Sequence, residues 1–248
     1  MPASAVTLRD VTNLGYFHGK RGRFRAGTSV LLDVVLEPRA GDGFIIDVTT
    51  LAELTAVGKT PVGMSIGAFD TLDALAQRSP EIAPPGASAS SVRLRLALLG
   101  AVVIVAAGGG TRRAAIDDLV LEPHELPIGI EVQAAGAGLG LGDRRRATAD
   151  GAASYALGVS AALRIVAHRF ADVRIIVELD EVKGRARLAE AKLLNQRADP
   201  GLFPEAARLA ATTIAAVDAR TSAAARAVLP LVTAALREAL DGARTSKR

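Results

Sequence analysis

Cysteine and tryptophan are absent from this chain of 248 residues, and aromatic side chains make up only 3% of it. Without cysteine the chain forms no disulfide and offers no thiolate to zinc or to an iron–sulfur cluster. A redox role would therefore need an organic cofactor or another subunit. Because few aromatic side chains are present for nucleic-acid bases to stack on, the net charge of +4 does not predict nucleic-acid binding.

Long apolar runs are also absent. A helix that crosses a membrane needs roughly 18 or more consecutive apolar residues, whereas the longest run, residues 96–107, is interrupted by Gly100. The N-terminal residues lack the basic start and apolar stretch of a secretory signal. We therefore expect a cytoplasmic protein that binds neither membrane nor nucleic acid.

Small residues dominate the stretch 134–142, which carries almost no side-chain chemistry. Low-complexity segments of this kind are typical of domain boundaries. Half of the chain is apolar, which is enough to fill one or two modest cores. We therefore predict two domains, residues 1–141 and residues 142–248.

Hydrophobic patterning predicts strands and helices in both halves. The predicted strands of the first half cover residues 44–48, 64–68, 102–105 and 112–116, and its helices cover 71–76 and 90–99. In the second half two strands, 155–166 and 173–179, precede helices at 186–195, 204–217 and 222–240. Pro230 lies inside the last of these and predicts a kink or break. Strands followed by runs of helices predict an α+β fold.

One segment of the first half has the pattern of a phosphate-binding turn. It follows a short strand and consists mostly of small residues: Arg25, Ala26, Gly27, Thr28, Ser29 and Val30. The backbone N–H groups of such a turn can converge on one anion. An ordinary connecting turn is the alternative interpretation.

Histidine is scarce, and His18, His124 and His168 are far apart in the sequence. No serine has a histidine near it, so no nucleophile–base pair is evident. We therefore predict no catalytic residue and no metal site.

The second half carries an ordered set of signals: an arginine run at 144–146, a strand at 171–177, the segment 187–191 and the charged segment 218–226. Their order and spacing resemble the C-terminal domain of the FAD-carrying medium subunit of molybdenum hydroxylases, the xanthine and carbon monoxide dehydrogenase group. Two segments of the first half, 46–54 and 66–72, also resemble that family.

This resemblance implies a truncated two-part FAD-binding lobe followed by a domain of a small antiparallel sheet and helices. It implies that the turn at 25–30 cradles the pyrophosphate and that the segment from residue 66 lies near the flavin. The implied cofactor-binding residues are Arg25, Ala26, Gly27, Thr28, Ser29, Val30, Ile66, Gly67, Ala68 and Thr71. The charges at Arg187, Glu190, Asp218, Arg220 and Arg226 are expected to be structural, as helix caps and ion pairs.

The sequence departs from the family pattern at the implied FAD site. Relatives have two consecutive glycines in this turn, and Ala26 stands in place of the first of them. Its methyl group would crowd a phosphate or oppose a positive φ. Asp70 replaces a threonine. The family's threonine-x-glycine-glycine-asparagine motif is absent, because Ser79 to Gly86 leads directly into residues 87–91. FAD is therefore expected to be weakly bound or lost.

By the same resemblance, the chain would relay electrons from iron–sulfur clusters through FAD to an external acceptor. Its partners would be an iron–sulfur small subunit and a molybdenum-cofactor large subunit, with Arg226, Arg237 and Glu238 as candidate contact residues. The alternative is a flavin-free, degenerate homologue that acts as a structural or assembly subunit. The missing motif favours this alternative, whereas the turn at 25–30 and Ile66-Gly67-Ala68 favour FAD.

Overall fold

The computed structural model describes residues 5–7, 23–37, 45–60, 63–107, 110–122, 124–133, 138–150, 153–180, 182–215 and 222–246. The chain forms two units, Met1–Ala134 and Ala135–Arg248. Helices and antiparallel sheets occur in both units, which confirms the α+β class.

The first unit begins with a small parallel sheet. Its strands are β1 (Ala5–Thr7), β2 (Arg23–Arg25) and β5 (Ile45–Asp47), with β5 in the middle. Between β2 and β5 the chain forms a short hairpin of β3 (Gly27–Ser29) and β4 (Val34–Leu36). A 3₁₀ turn, Ala52–Thr55, follows β5.

The other described strands of the first unit form a five-stranded antiparallel sheet. Its strands are β6 (Val57–Thr60), β7 (Gly63–Gly67), β8 (Val102–Ala107), β9 (Gly110–Ala115) and β10 (Leu126–Gln133). They lie in the order β6-β7-β10-β8-β9, so β10 is central. The sequence predicts no strand at residues 126–133, so the central strand of this sheet was missed.

Two helices of the first unit begin at side-chain caps. Helix α1 (Leu72–Arg78) is capped by the hydroxyl of Thr71, which accepts a hydrogen bond from the N–H of Ala74. Helix α2 (Ala89–Leu98) is capped by Ser88. Beyond α2, Gly100 has a φ of +69°, which suits glycine and ends the helix.

The second unit contains an antiparallel meander. Its strands are β11 (Leu139–Asp150), β12 (Ala153–Val166), β13 (Arg169–Leu179) and β14 (Val182–Arg185), paired in chain order. A two-residue turn joins β12 to β13, and both of its residues, Ala167 and His168, have positive φ. Alternate residues of β12 are buried in the core against the helices. The predicted hairpin is therefore present, and it continues on both sides.

Three helices follow the meander: α3 (Arg187–Leu193), α4 (Phe203–Ala215) and α5 (Ser222–Thr245). Helix α5 runs through Pro230 without ending there. It packs directly on β11, because glycines leave no side chain between them. A Cβ at Gly140 would lie 1.8 Å from the carbonyl oxygen of Ala239, and one at Gly142 would lie 2.0 Å from that of Ala235.

The predicted boundary after residue 141 therefore falls within β11, whereas the two units divide after Ala134. Gly140 and Gly142, which look like part of a linker in the sequence, are strand residues over which α5 passes closely. Gly138 also belongs to the second unit, because its N–H donates to the hydroxyl of Ser246 and its carbonyl accepts from Ile165.

Glu190 of α3 has the structural role predicted for it. Glu190 is buried and accepts hydrogen bonds from the N–H of Ile175 and from Nε of Arg185, each at 2.9 Å. It therefore ties α3 to β13. Asp218 and Arg220, for which a similar role is predicted, lie outside the described residues.

We expect a fragment of residues 135–248 to unfold cooperatively by circular dichroism, because its core is built from its own sheet and helices. A fragment of residues 142–248 should be less stable, since it lacks Gly138 and the first residues of β11. Equal stability of the two fragments would contradict this boundary. A non-cooperative melt of the longer fragment would contradict an independent core.

Candidate functional site

The predicted phosphate-binding turn, residues 25–30, covers Arg25 at the end of β2, then Ala26, all of β3, and Val30. The carbonyl of Arg25 accepts from the N–H of Val48 at 2.9 Å, and the N–H of Ala26 donates to the carbonyl of Leu36 at 3.0 Å. Gly27 has a φ of +86°, a conformation that side chains oppose. Ala26 is not among the residues with positive φ, so its methyl group causes no backbone strain. Glycine is required at 27, not at 26.

Ser29 joins the two predicted segments. Its side chain is fully buried, and its hydroxyl donates a short hydrogen bond to the carbonyl of Ala68. The same oxygen accepts from the N–H of Leu32 at 3.2 Å. The structure therefore brings the turn at 25–30 and the segment at 66–71 together, although 39 residues separate the two bonded positions. Because the hydroxyl both donates and accepts within the chain, Ser29 holds these two segments together.

Gly67 has a packing role. Its N–H donates to the carbonyl of Ala56 at 2.6 Å, and a Cβ would lie 2.3 Å from the carbonyl oxygen of Leu54. Its neighbours Ile66 and Ala68 are fully buried. Thr71, the remaining member of this segment, is exposed and caps α1.

Only part of the predicted set is exposed at the surface. Thr28 and Thr71 are exposed, and Arg25, Ala26 and Gly27 are partly exposed. Val30 is also partly exposed, but its carbonyl accepts from the guanidinium of Arg93 at 2.8 Å. The accessible face of the turn is thus residues 25–28.

A charged pair, which no sequence motif indicates, flanks this face. The guanidinium of Arg25 lies 3.6 Å from the carboxylate of Asp47. The hydroxyl and N–H of Thr49 both donate to Asp47, at 2.7 and 3.1 Å. The Thr49 hydroxyl is the main reason that the pKa of Asp47 lies below its usual range. Asp47 therefore stays ionised and partly neutralises Arg25.

Asp70 is the most unusual charged residue of the segment. It is only 3% exposed, and burial raises the pKa of its carboxyl group. One oxygen, Oδ1, accepts from the N–H of Thr71 at 3.0 Å. The other, Oδ2, has no hydrogen-bond partner among the described residues and lies 4.0 Å from the guanidinium of Arg78. Asp70 Oδ2 is therefore a buried acceptor without a described hydrogen-bond partner, within the segment that the sequence predicts to lie near flavin.

Other kinds of site are not found in the described part of the chain. The described residues include no group of three or more histidine, aspartate and glutamate side chains that could hold a metal ion. Nor does any described helix combine the length and apolar character needed to cross a membrane.

Together the two units define an α+β fold in which parallel and antiparallel sheets precede a four-stranded meander with α5 packed on it. Solved structures show the same fold. A chain of reconstituted CO dehydrogenase from Oligotropha carboxidovorans is 17% identical, with a TM-score of 0.62, over 98% of this chain and 99% of that chain.

Two further structures are similar over nearly the whole chain. Carbon monoxide dehydrogenase from Hydrogenophaga pseudoflava, lacking the Mo-pyranopterin moiety of the molybdenum cofactor, has a chain that is 21% identical, with a TM-score of 0.60 over 96% of this chain and 97% of that chain. Quinoline 2-oxidoreductase from Pseudomonas putida 86 has a chain that is 19% identical, with a TM-score of 0.57 over 100% of this chain and 99% of that chain. At these identities the likeness shows the fold.

No family model matches the sequence, and no curated protein matches it. The structural likeness nevertheless extends through both units, including the first half, where the sequence resemblance is patchy. The fold implied by the resemblance is therefore confirmed.

Proposed function

We propose that this chain is the FAD-binding medium subunit of a molybdenum hydroxylase, relaying electrons from iron–sulfur clusters through FAD to an external acceptor. The observation that carries this proposal is a fold shared with chains of CO dehydrogenase and quinoline 2-oxidoreductase over nearly the whole length. The contact of Ser29 with Ala68 adds to it, because it joins the two segments for which the resemblance implies flavin binding.

The residues present fit a flavin nucleotide in part. The accessible turn at 25–28, with Gly27 in the left-handed region and the cation of Arg25 beside it, suits a pyrophosphate. Asp70 Oδ2 is a spare acceptor for a hydroxyl or N–H donor. FAD would supply the redox chemistry, while the chain would bind it, orient it and limit its contact with water.

The flavin-free alternative is favoured by specific observations. The N–H of Ala26 is already bonded to Leu36, and the hydroxyl of Ser29 is buried and used. The glycine-glycine-asparagine motif that relatives add to the site is missing from the sequence. In this alternative, the same fold serves as a structural or assembly subunit.

Partners follow from the proposed role. The chain has no cysteine with which to hold an iron–sulfur cluster, so an electron path would need a small subunit that carries clusters and a large subunit that carries the molybdenum cofactor. The cytoplasmic location predicted from the sequence belongs to the same proposal.

Co-expression of the chain with the gene products of its own operon tests the proposed assembly. We expect the tagged chain to co-purify in constant stoichiometry with an iron–sulfur subunit and a molybdenum-cofactor subunit, identified by mass spectrometry and metal analysis. Recovery of this chain alone, monodisperse and monomeric, would contradict the electron-transfer role.

A further inference from the structure

A groove of about 800 Å³ lies on the surface of the second unit. Its walls are α4 and α5, and Arg144 of β11 lies at its edge. All of its lining residues belong to the second unit. The groove is therefore independent of the turn at 25–30 and of any flavin held there.

The floor of the groove is apolar and made of small or rigid side chains. Ala207 of α4 is buried, and Ala234 of α5 is partly buried. Leu229, which is partly buried, and Pro230, which is exposed, are the first lining residues along α5 and form the apolar end of the lining. Because alanine and proline side chains do not reach across the space between two helices, a channel remains where larger residues would have closed it.

The groove is elongated. Along α5 its lining runs from Leu229 to Asp241, a separation of 12 residues. At 1.5 Å per helical residue this is roughly 18 Å. An extended polypeptide rises about 3.3 Å per residue, so the groove is as long as a segment of five or six residues. A compact metabolite would occupy only part of it.

Some of the charged residues along the groove have an ion-pair partner among the described residues, and others do not. At its edge, Arg144 pairs with Glu238, so those two charges cancel. Arg208 of α4 and Arg237 of α5 are exposed, and neither has an ion pair or hydrogen bond with a described side chain. Asp241, also without a described ion-pair partner, lies at the end of the lining, one turn beyond Arg237.

We propose that this groove is the docking site for an extended acidic segment of a partner polypeptide, which pairs its carboxylates with Arg208 and Arg237. The apolar end at Leu229 and Pro230 takes an aliphatic side chain of the same segment, and the carboxylates follow within a few residues. Because Asp241 repels a carboxylate at the far end, the acidic residues lie beside Arg237 rather than beyond it.

Selection from a library of random twelve-residue peptides displayed on phage tests this directly on the full-length chain. Phage that bind the double variant Arg208→Gln/Arg237→Gln are removed first. We expect the enriched peptides to share an aliphatic residue followed by aspartate or glutamate. Enrichment of peptides without acidic residues, or no enrichment over the double variant, would overturn the proposal.

The best selected peptide is then labelled and titrated by fluorescence anisotropy. We expect the double variant to bind about tenfold more weakly, since two exposed ion pairs are lost, and raised salt to weaken wild-type binding. The matched control is Arg197→Gln/Arg244→Gln, which removes two exposed arginines of the same unit outside the groove. Equal losses in both double variants would show only a net-charge effect and overturn the proposal.

Two other occupants give distinct results. The labelled peptide is also challenged with inorganic phosphate at about 5 mM, with the ionic strength held constant. If phosphate displaces the peptide, the groove is a small-anion site and the proposal fails. If sedimentation shows a dimer of wild-type chains that the Arg208→Gln/Arg237→Gln variant does not form, the occupant is a second copy and the proposal also fails. Both measurements use the whole chain of 248 residues.

Discussion

Replacing Gly142 with alanine is expected to destabilise the second unit by about 3 kcal/mol, because the added methyl group would overlap the backbone of α5. The added Cβ would lie 2.0 Å from the carbonyl oxygen of Ala235 and 2.9 Å from its carbon. Both are backbone atoms of α5, so no side chain can rotate away. Either α5 or β11 has to move, and the core between them would be loosened.

Hydrogen exchange followed by mass spectrometry localises this effect without requiring a single unfolding transition. Amides of β11 and β12 should exchange about a hundredfold faster in the variant, which corresponds to roughly 3 kcal/mol. The control is Gly58→Ala, another strand glycine, where a Cβ would meet nothing within 4 Å. If Gly142→Ala exchanges like Gly58→Ala, the direct packing of α5 on β11 is wrong.

The second large effect is expected for Arg112→Met in the first unit. The guanidinium of Arg112 donates to both oxygens of Glu125, at 2.7 and 2.6 Å, and also to the carbonyl of Val120. Glu125 is only 5% exposed. Removal of the cation leaves a buried carboxylate, which we expect to cost about 2–3 kcal/mol, below the range for a fully buried pair because Arg112 is partly exposed.

The loss should depend on pH. The hydrogen bond from Arg112 is the main cause that lowers the pKa of Glu125 below its usual value. A lowered pKa in the folded state gives stability that is present above the unfolded pKa of about 4.3 and disappears as the pH falls through the folded value. The difference in melting temperature between wild type and Arg112→Met should therefore be large at neutral pH and shrink in acid.

The matched control is Arg113→Met on the same strand. Arg113 pairs with Glu131, but both side chains are more than a third exposed, so the expected cost is under about 1 kcal/mol. Equal and pH-independent losses for the two variants would contradict the role assigned to Glu125.

Much of the second unit could be predicted from sequence because its patterns are regular. Alternation gives β12 and β13, and helical spacing with Val228 and Val232 inward gives α5. The glycines at 140 and 142 could not be interpreted in the same way. They are a strand feature only because α5, about 100 residues later, covers them, and no local pattern contains that contact.

Less of the first unit could be predicted from the sequence. Strand β10 was not predicted, because Pro127 and Gly129 interrupt its apolar pattern. The structure places an irregularity in its pairing with β8 between these two residues, so the interruption is a bulge in a central strand. Strand β1, with three residues, is too short to give a periodic signal.

The candidate site was predicted as two separate segments, and their contact through Ser29 depends on tertiary structure. The sequence also could not distinguish buried members, such as Ile66 and Ser29, from accessible ones, such as Thr28. The missing asparagine motif was evident from the sequence alone. Whether the remaining residues bind FAD stays a prediction.

The central claim is tested most directly by titrating the purified chain with FAD and following the visible absorption and fluorescence of the flavin at equilibrium. The account predicts saturable binding with one flavin per chain that is lost during gel filtration, because each missing charge-assisted contact costs about 1.5–3 kcal/mol. Thr28→Glu, which places a carboxylate on the exposed face of the turn, should weaken binding at least about tenfold. Thr111→Glu, an exposed strand position elsewhere, should not. No saturable change in the flavin spectrum, or equal binding by both variants, would contradict the account and leave the flavin-free role.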